Sequence, residues 1–156
     1  MKNIFKLIIS VLVPVMVGAF AGFFTSFSVK GWYSTINKPS FNPPNWIFAP
    51  VWTALYIMMG IACYIIWKKE FAPAIKKKAL LFYTIQLVLN FFWSILFFYL
   101  QLPGWALIEI ILLWIFIAGT IYYFKIISAP AAWLLVPYLF WVSFAMALNF
   151  AIFRLN

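Results

Sequence analysis

The sequence predicts an all-α integral membrane protein, a bundle of five transmembrane helices forming a single domain over residues 1–156. Its 156 residues are 68% hydrophobic and only 8% charged, whereas soluble domains carry about 25% charged residues. Five apolar runs are long enough to cross a bilayer, which takes about 20 residues each. Backbone groups in lipid must be satisfied within the chain, and the strict alternation of a membrane barrel is absent, so we expect helices.

The five spans are expected at approximately 5–29, 46–67, 79–100, 104–124 and 130–153. The first run continues to Val29 without a cleavage site after a short core, so it is interpreted as a retained helix and not a signal peptide. Residues 68–78 are expected to form a cationic turn, and the two later connections are short. Short connections place sequential helices antiparallel, which favours a compact bundle.

The first span carries small residues at four-residue spacing: Gly18, Gly22 and Ser26. Small residues at this spacing let helix backbones approach closely. Packing within the bundle is favoured over dimerisation, and Gly22 and Ser26 could alternatively leave room for a ligand.

The first connection is rich in tryptophan and proline, and it reads WYSTINKPSFNPPNWIFAPVW over residues 32–52. Tryptophan and tyrosine are typical of the membrane interface, so an anchoring belt is one interpretation. The prolines exceed what a belt needs, and they lower the entropy that is lost when a loop orders. We therefore expect an ordered Trp/Pro-rich first loop, a stiff lid over a pocket with Tyr33 pointing inward.

Three spans carry stripes of aromatic, amide and small side chains at helical spacing. The stripes comprise Trp52, Tyr56, Met59 and Cys63 on the second span; Gln86, Asn90, Trp93 and Phe97 on the third; and Pro137, Trp141, Ala145, Leu148 and Asn149 on the fifth. An amide in hydrocarbon is costly unless paired, so these faces should look into the bundle. A single stripe is typical of core packing, but three together favour a lined cavity. For Gln86 and Asn90, helix–helix bonding and pocket lining both stay open.

Glu109 lies near the start of the fourth span. An acid within the membrane suggests a functional role. It is expected about one turn into its helix, where the positive end of the helix dipole favours an acid. An anchoring or packing role is therefore favoured for Glu109.

The cations predict the orientation of the chain, whose net charge is +9. Five spans place the residues Lys2, Lys6, Lys68, Lys69, Lys76, Lys77, Lys78 and Lys125 on one side, and Lys30, Lys38 and Arg154 on the other. The positive-inside rule then predicts a cytoplasmic N-terminus, with the first loop and the C-terminus outside a bacterial plasma membrane. No compact basic face is present, so no nucleic-acid partner is expected, whereas lipid is.

The residue inventory excludes most conventional catalysis. The chain has no histidine, two acids and one cysteine, Cys63. It can form neither an intrachain disulfide nor a carboxylate pair, nor a nucleophile–histidine pair, and it has no glycine-rich phosphate loop. We expect no metal site and no cofactor. Tryptophan and tyrosine remain as groups able to take part in oxidative or light-driven chemistry, so an enzymatic activity stays open.

Three blocks resemble one family. The segment WYSTINKPSFNPPNWIFAPVWTALYIMMG resembles the first-loop and second-helix block of the translocator protein family, also called tryptophan-rich sensory protein, TspO or peripheral-type benzodiazepine receptor. QLVLNFFWSILFF is similar to its third-helix block, and PYLFWVSFAMALNFAIFRLN to its fifth-helix ending. The resemblance covers nearly the whole chain and has the same five-span layout.

The resemblance implies a protein that binds porphyrins as ligands, and also benzodiazepine or isoquinoline carboxamide drugs. The pocket would lie between the first, second, third and fifth helices, under the first loop. Carried onto this chain, the ligand-binding candidates are Tyr33, Trp52, Asn90, Trp93, Trp141, Ala145 and Asn149. The small residues of the first span add Gly22 and Ser26, and the stripe on the fifth span adds Leu148. Because the chain has no histidine, the usual ligand of haem iron, a metal-free porphyrin is expected.

Two alternatives to simple binding or sensing follow from the same resemblance. Some bacterial members are reported to degrade protoporphyrin in light, and Trp52 and Trp141 would then be the catalytic residues here. The other alternative is transport of porphyrin or sterol. Phe150 stands where the family's sterol motif has tyrosine, so sterol recognition at that site is not supported. Many members are dimers, so a homodimer is expected.

Overall fold

The computed structural model describes residues 1–156 and contains helices but no strand. The helices are α1 (Lys2–Val29), α2 (Trp32–Thr35), α3 (Asn45–Lys68), α4 (Pro73–Ser94), α5 (Pro103–Ile127) and α6 (Ala129–Leu155). A π-helical turn, Ile95–Tyr99, extends α4. All helices except the short α2 are long and apolar enough to cross a membrane, which confirms the five predicted spans.

The order of the long helices around the bundle is α1, α3, α6, α5 and α4, with α4 returning to α1. Gly60 permits a close approach of α3 to α1 in this ring. A Cβ atom at Gly60 would lie 2.5 Å from the Cα atom of Val11 and 2.7 Å from the carbonyl oxygen of Ser10. The absence of a side chain therefore lets α3 lie directly against the backbone of α1, as small residues do at membrane helix interfaces.

Two connections are shorter than the sequence predicted. The cationic turn expected over 68–78 is wrong in extent, because α4 begins at Pro73. Proline suits the first helical position, where its φ is already helical and no N–H is needed. The Lys76 ammonium group donates to the carbonyl oxygens of Trp67 at 2.7 Å and Lys69 at 2.8 Å, so it satisfies free carbonyls at the end of α3. Ser128 alone separates α5 from α6.

The first connection, residues 30–44, contains α2 and is tied together by polar groups. The buried Tyr33 donates from its hydroxyl to Asn42 at 2.9 Å, and the Lys38 ammonium group donates to the Tyr33 carbonyl oxygen at 2.7 Å. Asn37 and Asn156 exchange two hydrogen bonds, of 3.0 and 2.9 Å, between backbone and side chain. These bonds attach the first loop to itself and to the last residue of the chain.

Candidate functional site

One large cavity, of about 480 Å³, lies between α1, α3, α4 and α6 and extends to the first loop. This volume falls in the range of about 300–1,000 Å³ that small-molecule sites occupy. Helix α5 contributes no residue to its wall. Glu109 of α5 therefore lies outside the cavity. It follows Pro103, the first residue of α5, by six positions. Its two carboxylate oxygens are buried and have no hydrogen-bond partner.

Trp52 is at the centre of the aromatic wall of this cavity. Its ring stacks on Tyr56, with centroids 5.7 Å apart, and its other ring neighbours are Tyr138 at 6.3 Å, Trp141 at 6.4 Å and Trp93 at 6.5 Å. Helical spacing produces part of this arrangement, since Trp52 and Tyr56 are four residues apart on α3. Aromatic rings offer both faces and edges to a ligand, so this wall suits a flat conjugated molecule.

Two indole N–H groups in the wall differ in their hydrogen bonding. The Trp93 indole donates to the Asn149 side-chain oxygen at 3.0 Å, and the Asn149 amide nitrogen donates to the Pro103 carbonyl oxygen at 2.8 Å. The Trp141 indole N–H is buried and has no acceptor. A buried donor without a partner is costly. Trp141 is therefore a wall residue whose buried polar group no protein acceptor satisfies.

A hydrogen-bonded chain lies beneath the cavity, and we call Tyr56, Gln86, Asn90 and Tyr138 the polar layer. The Tyr56 hydroxyl donates to the Asn90 side-chain oxygen. The Asn90 amide nitrogen donates to the Tyr138 hydroxyl at 2.8 Å, and that hydroxyl donates to the Gln86 side-chain oxygen at 2.7 Å. The layer joins α3, α4 and α6, and the Tyr56 ring belongs to the cavity wall while its hydroxyl belongs to the layer.

Nine of the ten ligand-binding candidates line the cavity: Gly22, Ser26, Tyr33, Trp52, Trp93, Trp141, Ala145, Leu148 and Asn149. Asn90 does not line it; both ends of its amide are bonded to tyrosine hydroxyls in the polar layer. Of the two interpretations left open for Gln86 and Asn90, the structure shows the helix–helix bond for both.

Three small residues of α1 line the cavity, but they differ in the space around them. A Cβ atom at Gly18 would lie 2.4 Å from the Tyr56 ring, whereas one at Gly22 would have no neighbour within 4 Å. The Ser26 hydroxyl donates to the Phe23 carbonyl oxygen at 2.7 Å. Gly18 therefore permits close packing against Tyr56, and Gly22 opens space beside the cavity.

Further wall residues were not predicted from the sequence. Phe48 lies four residues before Trp52 and Phe144 three residues after Trp141, so an extension of the two stripes would have found both. Phe98 is different, because it lines the cavity together with its neighbour Phe97. Both face the cavity where the π-helical turn widens the helix, with the Leu100 N–H donating to the Ile95 carbonyl oxygen at 2.8 Å. Ordinary helical periodicity does not contain that shift.

The two lysines near the loop end of the cavity differ in whether they line it. Lys30 lines the cavity, whereas Lys38 does not, since its ammonium group bonds to loop carbonyls. Burial raises the pKa of the Tyr33 hydroxyl, and its hydrogen bond to Asn42 opposes that shift less strongly. The hydroxyl therefore stays protonated and can keep donating to Asn42.

No group of three histidine, cysteine or acidic side chains that could hold a metal ion is present.

Comparison with known proteins identifies the family. The family model described as TspO/MBR matches residues 10–155. The chain belongs to the TspO/MBR family. It is 49% identical over 154 residues to the tryptophan-rich protein TspO of Archaeoglobus fulgidus, with 99% of each chain covered. It is 45% identical to the tryptophan-rich protein TspO of Chlorobaculum tepidum, covering 99% of this chain and 98% of that one.

The TspO/MBR family also extends to animals. The chain is 39% identical to the translocator protein of Homo sapiens, over 80% of this chain and 75% of that one. The resemblance found in the three sequence blocks is thereby confirmed. Family membership and five membrane-spanning helices together make this chain an integral membrane protein.

Proposed function

We propose that this TspO/MBR protein binds porphyrins, and other flat hydrophobic molecules, in the cavity under the first loop. The observation that carries the proposal is the aromatic wall, in which Trp52 lies among Tyr56, Trp93 and Trp141 beside about 480 Å³ of space. A porphyrin is a large flat π system, and such a wall offers it stacking and apolar contact. The ligand-binding residues are the nine candidates that line the cavity.

The polar edge of the ligand would meet two different groups. Lys30 lies at the loop end of the cavity, where its charge attracts the carboxylates of a porphyrin. The unpaired indole N–H of Trp141 donates to a carboxylate or to the carbonyl of an isoquinoline carboxamide or benzodiazepine-type drug. With no histidine to ligate iron, the porphyrin is metal-free and serves as a ligand, not a cofactor.

In this proposal the first loop acts as a lid over the cavity. The protein is a homodimer, and it lies in a bacterial plasma membrane. The hydrogen bonds of Tyr33 and Lys38 support a stiff loop, and Asn156 anchors it from the opposite end of the chain. The lysine distribution supports a cytoplasmic N-terminus, with the lid and the C-terminus outside. Binding and sensing then occur at the outer face of the membrane.

A porphyrin titration of the purified protein tests the proposal. Protoporphyrin absorbance and fluorescence anisotropy report binding, and the double variant Trp52→Phe/Trp141→Phe should lose about tenfold in affinity, from weaker stacking and a lost donor. The matched control is Trp105→Phe/Trp133→Phe, whose indoles are 65% and 71% exposed on the outside of the bundle. Equal affinity of the two double variants would refute the assignment of this cavity.

A light-driven degradation of the bound porphyrin is the second candidate function. It is favoured by the direct contact of two wall indoles, Trp52 and Trp141, whose centroids are 6.4 Å apart. With dioxygen as oxidant, illumination should then change the porphyrin spectrum only in the presence of the protein, and each single Trp→Phe variant should slow the change. Product analysis in light and in darkness separates this activity from binding: identical spectra under both conditions leave binding alone.

A further inference from the structure

A second cavity, of about 260 Å³, lies between α1, α3 and α4 towards the lysine-rich end of the bundle. It shares no lining residue with the large cavity, and the proposed porphyrin site makes no use of it. Its wall is mostly apolar, but Ser10, Tyr83 and Thr84 bring three hydroxyls to it and Cys63 a thiol, from three different helices.

Two of these polar groups are buried without a partner. Ser10 and Tyr83 are only 5% and 6% exposed, and neither hydroxyl has an oxygen or nitrogen partner. The one polar group beside the Ser10 hydroxyl is the Cys63 thiol, a weak hydrogen-bond partner. By contrast, five other hydroxyls in the spans donate to the carbonyl oxygen four residues earlier, including that of Thr84 in the wall of this same cavity; they are those of Thr25, Thr53, Thr84, Thr120 and Ser143. The Tyr83 ring is held by stacking on Phe124, with centroids 5.9 Å apart. An unpaired buried hydroxyl lowers stability, so these two are donors that await an acceptor.

The side chains of Ser10, Cys63 and Tyr83 lie at one depth below a ring of lysines. Ser10 follows Lys6 by four residues, and Tyr83 follows Lys78 by five. Cys63 precedes Lys68 by five residues. At a rise of about 1.5 Å per residue these separations correspond to roughly 6 to 8 Å along the helices. The interfacial layer of a bilayer has about this thickness, so the donors lie where the ester groups of lipids begin.

The mouth of the second cavity is cationic. The Lys6 ammonium group lies 5.5 Å from the ring centroid of Trp67, a residue of the cavity wall. Glu70, in the connection between α3 and α4, is the one acid at this end of the bundle, against eight lysines. A ligand with an anionic head and an apolar body would match both the charge and the wall.

We propose that the second cavity binds an anionic phospholipid of the surrounding leaflet. The Ser10 and Tyr83 hydroxyls donate to an ester carbonyl of the glycerol backbone, and the phosphate lies beside Lys6. The volume of about 260 Å³ accommodates the ester region and the first part of one acyl chain, and the rest of the lipid stays in the bilayer. The bound lipid then satisfies both donors and covers the seam between α1 and α4.

Native mass spectrometry of the detergent-purified full chain tests this site. The protein is titrated with dioleoylphosphatidylglycerol, dioleoylphosphatidylcholine and oleate. We expect the phosphatidylglycerol to bind several-fold more tightly than the phosphatidylcholine. The variant Ser10→Ala/Tyr83→Phe should weaken phosphatidylglycerol binding about tenfold, and Ser10→Ala alone about threefold. Lys6→Gln should remove the preference for the anionic head.

The matched control is Tyr122→Phe/Lys125→Gln, which makes the same kinds of change on α5, outside the second cavity. It should leave the binding of all three lipids unchanged. In lipid-free detergent, Ser10→Ala/Tyr83→Phe should melt at the same or a higher temperature, because it removes hydroxyls that have no partner. Unchanged affinity in that variant, an equal loss in the control, or tighter binding of oleate than of phosphatidylglycerol would each overturn the proposal.

Discussion

The large cavity and the polar layer beneath it contain the same kinds of side chain, but the two regions use them differently. In the layer, Asn90 bonds to the hydroxyls of Tyr56 and Tyr138, so its amide is fully engaged by the protein. In the cavity wall, Trp141 keeps a buried N–H without an acceptor, and Gly22 faces open space. The comparison teaches that polarity and inward orientation do not by themselves distinguish a ligand contact from a bond between helices.

The largest expected effect comes from breaking the polar layer. Asn90→Leu removes two hydrogen bonds and leaves the Tyr56 hydroxyl without an acceptor, so we expect a loss of about 3 kcal/mol in the free energy of unfolding. Denaturation by SDS in mixed micelles measures it. Asn45→Leu is the control, because this residue lies at the start of α3 and makes no side-chain hydrogen bond in the layer. Equal stability of the two variants would show that the layer does not hold α3, α4 and α6 together.

Two glycines of α1 separate packing from open space. Gly18→Ala should cost about 2 kcal/mol, because its Cβ would meet the Tyr56 ring at 2.4 Å and that ring is fixed by Trp52 and Asn90. Gly22→Ala should raise stability by about 0.5 to 1 kcal/mol, as alanine does in helices, while it narrows the cavity and weakens porphyrin binding. Thermal unfolding and the absorbance titration measure both. A destabilising Gly22→Ala would contradict the open wall.

The two wall indoles should respond in opposite ways. Trp93→Phe should cost about 1 kcal/mol of stability, because it leaves the Asn149 side-chain oxygen without its donor. Trp141→Phe breaks no hydrogen bond within the protein, so its main effect should be a several-fold loss of affinity for a carboxylate or carbonyl ligand. Melting temperature and ligand titration, measured on both single variants, test this difference. A larger stability loss in Trp141→Phe than in Trp93→Phe would contradict the assignment of Trp93 to the fold and of Trp141 to the ligand.

The smallest effect is expected in the first loop. Lys38→Gln weakens the bonds from the ammonium group to the carbonyl oxygens of Tyr33 and Ile36, at 2.7 and 3.2 Å. Local opening should become easier by about 0.5 kcal/mol, so amides of the loop should exchange about twofold faster. Lys30→Gln provides the contrast, since Lys30 lines the cavity: exchange should be unchanged and porphyrin affinity reduced. Hydrogen exchange that is identical in Lys38→Gln and the parent protein would remove Lys38 from the lid.

Periodicity predicted part of the cavity wall, because helices repeat regularly. Trp52, Trp141 and Ala145 belonged to stripes that the sequence showed, and all line the cavity. Periodicity missed Phe98, because a π-helical turn changes the register at Ile95–Tyr99. The cationic turn was also predicted too long, because Pro73 begins a helix that carries some of its lysines.

Some properties of this protein follow from the sequence alone. Hydropathy and run length add up along the chain, so the membrane class, the five spans and the inward faces needed no tertiary information. Only the tertiary structure decided the roles of Asn90, Trp141 and the unpaired Ser10 and Tyr83 hydroxyls. A hydrogen bond depends on distances of about 3 Å between helices that are far apart in sequence. Those distances arise from packing, which no single helix contains.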